Sequence, residues 1–259
     1  MSKTALITGA TSGIGLELAR LFAKDKYDLV LIARNAVKLK EVSEELAGNS
    51  GIKVKIISKD LSESNSAHEI FDEITSEKII VDILINNAGF GSFGAFADFE
   101  LRNDLDMMQL NMTSLVILTK LFLNEMLERN SGRIMNVAST AAFQPGPFMA
   151  LYYASKAFVL SFSEAVSEEI SDSNVTLTCL CPGPTETGFQ ERAGVKKIKL
   201  LNKKPAMISA EDVAVIGYRG LMKGKRIIIP GKINLLISKA VRFTPRRVVT
   251  KIIKYLHTG

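Results

Sequence analysis

The stretch "TALITGATSGIGLELARLF", residues 4–22, decides the fold. Its first five residues are apolar or β-branched and read as a strand, and "LELARLF" has the spacing of an amphipathic helix. Between the two, Gly9, Gly13 and Gly15 let the backbone turn sharply, while the helix presents free N–H groups and the positive end of its dipole to the turn. Strand, glycine turn and helix in this order suit the binding of a pyrophosphate, as at the opening of a dinucleotide-binding unit.

The same alternation continues outward. Apolar β-rich runs recur at "YDLVLIA" (27–33), "IKVKIIS" (52–58), "VDILIN" (81–86), "GRIMNVAS" (132–139), "VTLTCLC" (175–181) and "RIII" (226–229). Amphipathic segments such as "AVKLKEVSEELAG" and "NSAHEIFDEITSE" lie between them. Strands separated by helices imply right-handed βαβ crossovers, and strands that are nearly all apolar imply a sheet covered on both faces. The expectation is an α/β fold of the Rossmann type: a doubly wound, mainly parallel sheet of seven strands with helices on both faces. No repeat, low-complexity tract or Pro/Gly/Ser-rich linker interrupts the chain, so 1–259 reads as a single domain. Within it, 182–209 reads as a substrate-side loop and 231–259 as a basic C-terminal helical extension, divided by Pro245 into two short amphipathic segments.

At 47% hydrophobic and 23% charged, the composition excludes disordered and fibrous classes. No apolar run reaches the roughly 18 residues that span a bilayer, and no secretory leader precedes "TALIT", so a cytoplasmic protein is expected. Cys179 and Cys181 alternate onto one face of a strand; with both histidines distant in sequence, they read as buried reduced thiols and no metal site is expected. Charge is uneven: residues 1–191 carry 16 Lys/Arg against 25 Asp/Glu, whereas 192–259 carry 17 against Glu211 and Asp212 alone. Such a tail can attract a membrane surface, nucleic acid or an anionic substrate, or pack on the acidic body or a partner subunit.

Cofactor choice is read at the end of the second strand, where an acidic side chain would hold a ribose 2′-hydroxyl. Ala33 stands there instead, and Arg34 follows. An arginine pairs well with a 2′-phosphate, which favours NADP(H); the plainer alternative is a surface arginine at a strand end.

With "TGATSGIG", "NNAG" (86–89), "NVAS" ending at Ser139, "YYASK" (152–156) and "PGPTET" (182–187) in the right order, the chain resembles the short-chain dehydrogenase/reductase family from about residue 3 to 190. The pattern "NNAGFGSFG" and the C-terminal tail look further like its DltE-type branch. Spacing alone cannot choose between Tyr152 and Tyr153, since both lie one helical turn before Lys156. The family's Tyr-x-x-x-Lys pattern selects Tyr152 as general acid/base, with Ser139 as carbonyl-binding serine, Lys156 as phenolate stabiliser and Asn111 as holder of a water linking Lys156 to solvent. A hydrogen bond from Asn111 that closes a local backbone gap is compatible with that role.

The resemblance also implies a cofactor site formed by Gly9, Thr11, Ser12, Gly13, Ile14, Gly15, Arg34, Asp60, Asn87, Ala88, Gly89, Tyr152, Lys156, Pro182, Gly183, Thr185 and Thr187. Asp60 can instead cap a helix starting near Ser62, and Pro182 and Gly183 can simply end a strand. Phe90, Ser92, Phe143, Pro145, Met149 and Phe189 are expected to border an apolar substrate pocket; Phe93 and Phe148 belong there, in the core or on a dimer surface. The expected activity is NADP(H)-dependent interconversion of a small carbonyl compound and its alcohol. Its alternative is a non-catalytic NADP(H)-binding regulator or scaffold. A homodimer or homotetramer is expected, without nucleic acid and with weak peripheral membrane contact through the tail as an option.

Overall fold

A computed structural model describes residues 2–189 and 207–258. Its strands are β1 (Thr4–Thr8), β2 (Asp28–Ala33), β3 (Val54–Ser58), β4 (Ile83–Asn86), β5 (Gly132–Val137), β6 (Val175–Leu180), β7 (Thr185–Glu186), β8 (Ile208–Ser209) and β9 (Ile227–Ile228). All but β7 and β8 form one seven-stranded parallel sheet in the order β3-β2-β1-β4-β5-β6-β9; β7 and β8 pair with each other. The helices are α1 (Gly13–Lys24), α2 (Ala36–Ser50), α3 (Ser66–Ser76), α4 (Leu101–Met108), α5 (Ser114–Glu128), α6 (Ala150–Glu169), α7 (Ala210–Met222), α8 (Lys232–Val241) and α9 (Arg246–Thr258).

Successive strand residues face opposite sides, so one apolar run supplies two cores. Ala5, Ile7, Leu29 and Leu31 pack with Leu18 and Phe22 of α1, Leu39 of α2 and Val213 of α7. Leu6, Val30, Ile32 and Leu84 pack with Ile70 of α3 and Phe122 of α5 on the other side. Phe22 and Phe122, both essentially inaccessible, each contribute about 2 kcal/mol through burial. Cys179 and Cys181 lie on one face with their sulfurs 3.7 Å apart, as free buried thiols.

The topology creates the site. From β1 the chain builds β2 and β3 on one side, then returns to β4 on the other. The loops leaving β1 and β4 therefore diverge, and a crevice opens beyond their C-terminal ends.

One local feature departs from an alternative the sequence left open. α3 begins at Ser66, as the segment "NSAHEIFDEITSE" implies, and not near Ser62 as the capping alternative for Asp60 has it, because Asp60 closes a turn by accepting from both the backbone N–H (3.0 Å) and hydroxyl (2.7 Å) of Ser62. α4 and α5 are joined by a π-helical stretch, Gln109–Thr113. Of the expected loop 182–209, residues 190–206 lie outside the described residues.

The C-terminal extension is helical, with Pro245 immediately before α9. α9 buries Val249, Ile253 and His257, spaced one turn apart, against the chain's own body. α8 has the opposite polarity: it buries Asn234 and Ser238 and exposes Ile233, Leu236 and Ile237. Asn234 donates to the Pro230 carbonyl at 2.9 Å and Ser238 to the Asn234 carbonyl at 2.7 Å, so the inward polar groups are satisfied. Among the described residues no helix is long and apolar enough to cross a membrane.

Candidate active site

At the crevice, Gly9 and Gly13 adopt φ of +66° and +56°, which L side chains rarely tolerate. A side chain at Gly15 would run into the Gly9 carbonyl and the Asn87 amide. Asn87 Nδ2 donates to the carbonyls of Thr8 (3.0 Å) and Gly9 (3.2 Å), and the Thr8 hydroxyl accepts from the N–H groups of Asn87 and Ala88, both at 3.0 Å. The ends of β1 and β4 are thus joined, and the first-turn amides of α1, from Gly13 to Gly15, start from a braced turn. Thr8 was invisible as a functional residue in the sequence. Its only signal was a hydroxyl directly before Gly9.

Below this junction, the paired residues Asn86 and Asn136 are buried. Asn86 Nδ2 donates to Thr119 (3.0 Å) and to Asn136 Oδ1 (2.9 Å), and Asn136 Nδ2 donates to Ser163 (3.1 Å). This polar tie between β4, β5, α5 and α6 also escaped the sequence reading, since in apolar runs an asparagine carries no mark of its partner.

At the end of β2, Arg34 is 62% exposed and lies 3.5 Å from Asp60. Burial works to raise the Asp60 carboxyl, but the hydrogen bonds from Ser62, together with Arg34, hold it below its ordinary range. Asp60 therefore has both a turn to close and an arginine to position.

The crevice floor continues through Gly89. A Cβ there would stand 3.0 Å from Asn111 Oδ1 and 3.5 Å from Lys156 Nζ, so a ligand can approach both groups only across a bare backbone. Asn111 sits in the π-helical stretch and is 1% exposed; it accepts from Phe90 N–H (3.1 Å) and donates to the Phe90 carbonyl (2.9 Å) and Ser155 (3.1 Å). Single π turns are frequent at functional positions because they re-aim a side chain without ending the helix. Asn111 thus satisfies the backbone of Phe90, 21 residues away, and not a gap local to its own helix.

Ser139 follows β5 with extended backbone; its hydroxyl accepts from Ala141 N–H at 3.1 Å and donates to the Pro182 carbonyl at 3.4 Å. Tyr152 and Lys156 lie on the first turns of α6. Burial pushes the Tyr152 phenol up to about 12, and a hydrogen bond with Ser139 works against that rise. Burial also lowers the Lys156 ammonium to about 8. Lys156 Nζ donates to the Val137 carbonyl at 2.8 Å and lies 5.9 Å from the Tyr152 ring centre. Ser139, Tyr152, Lys156 and Asn111 are therefore assembled around the crevice, with Lys156 anchored on backbone. Thr187 reaches the same place from the other side: a Cβ at Gly13 would meet its methyl group at 2.9 Å. Pro182 supplies its carbonyl to Thr140 N–H (2.8 Å), Gly183 backs against Asn234, and Thr185 donates to the Gly183 carbonyl at 2.9 Å.

Tyr153 points elsewhere. It is 7% exposed, and its hydroxyl is 3.2 Å from His257 Nε2, while His257 Nδ1 is 2.6 Å from the Pro147 carbonyl. A carbonyl only accepts, so Nδ1 carries the proton; in the neutral ring Nε2 then accepts from Tyr153. Burial lowers the His257 pKa and keeps the ring neutral, although the Pro147 bond opposes it. The segment Gly146–Met149 is shaped around this bridge. Any side chain at Gly146 would strike the Tyr153 ring, and Phe148 is held at φ +68° with its carbonyl accepting from Gly94 N–H at 2.9 Å.

Around Tyr153 an apolar cluster joins Ala141, Met149, Val249 and Ile253 with Phe93, Tyr152 and Phe189. Of the expected pocket residues, Met149 and Phe189 belong to it, with the Phe189 ring 5.2 Å from that of Tyr152. Ser92 lines a recess shared with Tyr152, Phe148 and Met149, whereas Phe143 packs against the separate cluster of Leu115, Val159 and Cys181. Phe90 contributes its backbone to Asn111, and Pro145 is half-buried in the loop leading to Gly146. His257 was not singled out from the sequence, where more than a hundred residues separate it from Tyr153.

A family model described as short chain dehydrogenase matches residues 3–197. Ketoacyl reductase HetN from Nostoc sp. is 32% identical over 201 residues, covering 76% of this chain and 69% of that protein. The 17-beta-hydroxysteroid dehydrogenase type 3 of Mus musculus is 36% identical over 231 residues, covering 84% and 73%. Among solved structures, a short-chain dehydrogenase from Sphingobium yanoikuyae in complex with NADPH superposes with a TM-score of 0.84 at 29% identity, covering 93% of this chain and 92% of that one.

Proposed function

Because the chain belongs to the short-chain dehydrogenase family of oxidoreductases, we propose that it interconverts a carbonyl compound of mainly apolar character and its alcohol, using NADP(H) and with Tyr152 as general acid/base. The observation that carries this reading is the convergence of Ser139, Tyr152, Lys156 and Asn111 beside the bare backbone of Gly89. When bound, the cofactor supplies the hydride in reduction and leaves a cationic nicotinamide ring in the crevice.

In this reading Tyr152 gives its hydroxyl proton to the carbonyl oxygen as negative charge develops there. The protein alone holds that phenol at about 12, so Ser139 and nearby positive charge must bring it toward neutral pH. Ser139 donates to the substrate oxygen and fixes its approach. Lys156, lowered to about 8, can return a proton to Tyr152, and its hold on Val137 keeps it in place. Asn111 fixes Phe90 and hence the backbone floor. The braced Gly9–Gly15 turn would hold the pyrophosphate, and Arg34, with no acid at Ala33, the 2′-phosphate. The NADPH bound by the Sphingobium yanoikuyae relative supports that preference. The apolar cluster of Met149, Phe189 and Phe93 supports an apolar carbonyl, as do the ketoacyl and hydroxysteroid names of the relatives. Exposed Leu101 and Leu105 on α4 and Phe158 on α6 support self-association as a homodimer or homotetramer.

The test is NADPH oxidation against a chemically diverse panel of carbonyl compounds. Wild type and Tyr153→Phe should turn over, and Tyr152→Phe should lose roughly a hundredfold or more while still binding NADPH. Equal turnover by Tyr152→Phe overturns the assignment of the acid, and binding of NADPH without any turnover favours a non-catalytic regulator. Tighter binding of NADH than of NADPH removes the role given to Arg34.

A further inference from the structure

We propose that α8 and the turn after it form a docking face for an anionic lipid bilayer, on which the protein lies without crossing it. The first observation is the reversed polarity of α8. A surface helix normally buries its apolar stripe, yet here Asn234 and Ser238 face the body while Ile233, Leu236 and Ile237 face outward. Leu236 is 70% exposed, and Phe243, seven residues on and just past the end of α8, is 89% exposed. Single exposed apolar residues need no explanation, but a whole helical stripe ending in a phenylalanine does.

Charge selects the occupant. Between residues 232 and 259 the chain carries seven lysines and arginines and no carboxylate. By helical spacing, Lys232 and Lys239 border the stripe, and Arg242 adjoins Phe243. Apolar side chains flanked by long cationic ones suit the boundary between acyl chains and anionic headgroups, because the cations remain in the headgroup layer while the stripe enters the hydrocarbon. At ten residues α8 is too short to span a bilayer, which takes about 20. A second copy of the chain fits less well: a twofold contact through this face would bring Lys232, Lys239 and Arg242 against the same three cations, and the segment supplies no acidic side chain to set between them. The inference does not depend on the proposed activity.

The experiment is co-sedimentation of full-length protein with vesicles of phosphatidylcholine alone and of phosphatidylcholine mixed with phosphatidylglycerol, at low and high salt. The double variant Leu236→Asp, Phe243→Asp is run in parallel, with thermal unfolding and sedimentation velocity as controls. Wild type should pellet with the anionic vesicles, and roughly tenfold less with neutral vesicles or at high salt. The variant should lose pelleting to the same degree with an unchanged melting temperature, since both side chains are exposed. The proposal is overturned if wild type does not pellet with anionic vesicles, or if the variant pellets as well as wild type. It is also overturned if the variant's loss of pelleting comes with a fall in oligomer mass, which would make the face a contact between copies.

Discussion

The crevice beyond β1 and β4 and the apolar shoulder around Tyr153 hold their functional groups by different means. In the crevice, backbone conformation does most of the positioning: two glycines at positive φ, a third with no room for a side chain, and the Thr8 and Asn87 side chains tying one strand end to the other. At the shoulder, side chains from distant parts of the chain meet, with Val249, Ile253 and His257 of α9 closing over Met149 and Tyr153. Damage should therefore spread differently from the two places. In the crevice a single added carbon is intolerable, whereas the shoulder should lose stability in proportion to the contact removed.

Gly15→Ala is the severest test of the first half of that comparison. The new methyl group would collide with the Gly9 carbonyl, a backbone atom that cannot swing away, and with the Asn87 amide. The expected cost is about 3 kcal/mol, the upper end for overpacking, together with loss of cofactor binding. Chemical denaturation and NADPH titration measure the two effects. Wild-type stability and affinity would mean that the turn is looser than its contacts imply.

The same division explains what the sequence made legible. Sheet, crossovers and the glycine turn could be read because each rests on local patterns: alternation, helical period and residues with unusual backbone freedom. Tyr152, Lys156 and Ser139 were recognised through the order of motifs in a family, and the structure places them together. The role of Tyr153 could not be read, because its partner lies at the far end of the chain. Nor could the inverted face of α8 be foreseen. The period of "KINLLISKAV" gives an amphipathic helix, and only packing decides that Asn234, against Gly183, turns inward. The helix-capping alternative for Asp60 fails for a local reason, since an aspartate can cap a turn as readily as a helix.

Ile253→Ala tests the second half. Ile253 is 7% exposed within the Tyr153 cluster, so the truncation should cost about 2 kcal/mol, near the low end for buried isoleucine because α9 lies at the surface. If the shoulder serves the substrate side alone, KM for a reactive carbonyl should rise while the Kd for NADPH stays unchanged. An equal loss of NADPH affinity would show that the two regions are coupled and that the comparison is drawn too sharply.

The smallest effect is expected from His257→Gln, and it appears in pH dependence more than in stability at neutral pH. Glutamine can still accept from Tyr153 and donate an N–H, but it does not titrate. In wild type, burial holds the His257 pKa below its ordinary 6.5, so below pH 6.5 the unfolded chain takes up a proton that the folded ring resists. The stability this ring contributes is present above pH 6.5 and is lost as pH falls through the lower folded value. Melting curves recorded across that range should show wild type losing more than the variant, so that the gap between them narrows with acid. Parallel losses would mean that His257 accepts its second proton without disturbing the Tyr153 and Pro147 contacts, and that the shoulder is held by Val249 and Ile253 alone.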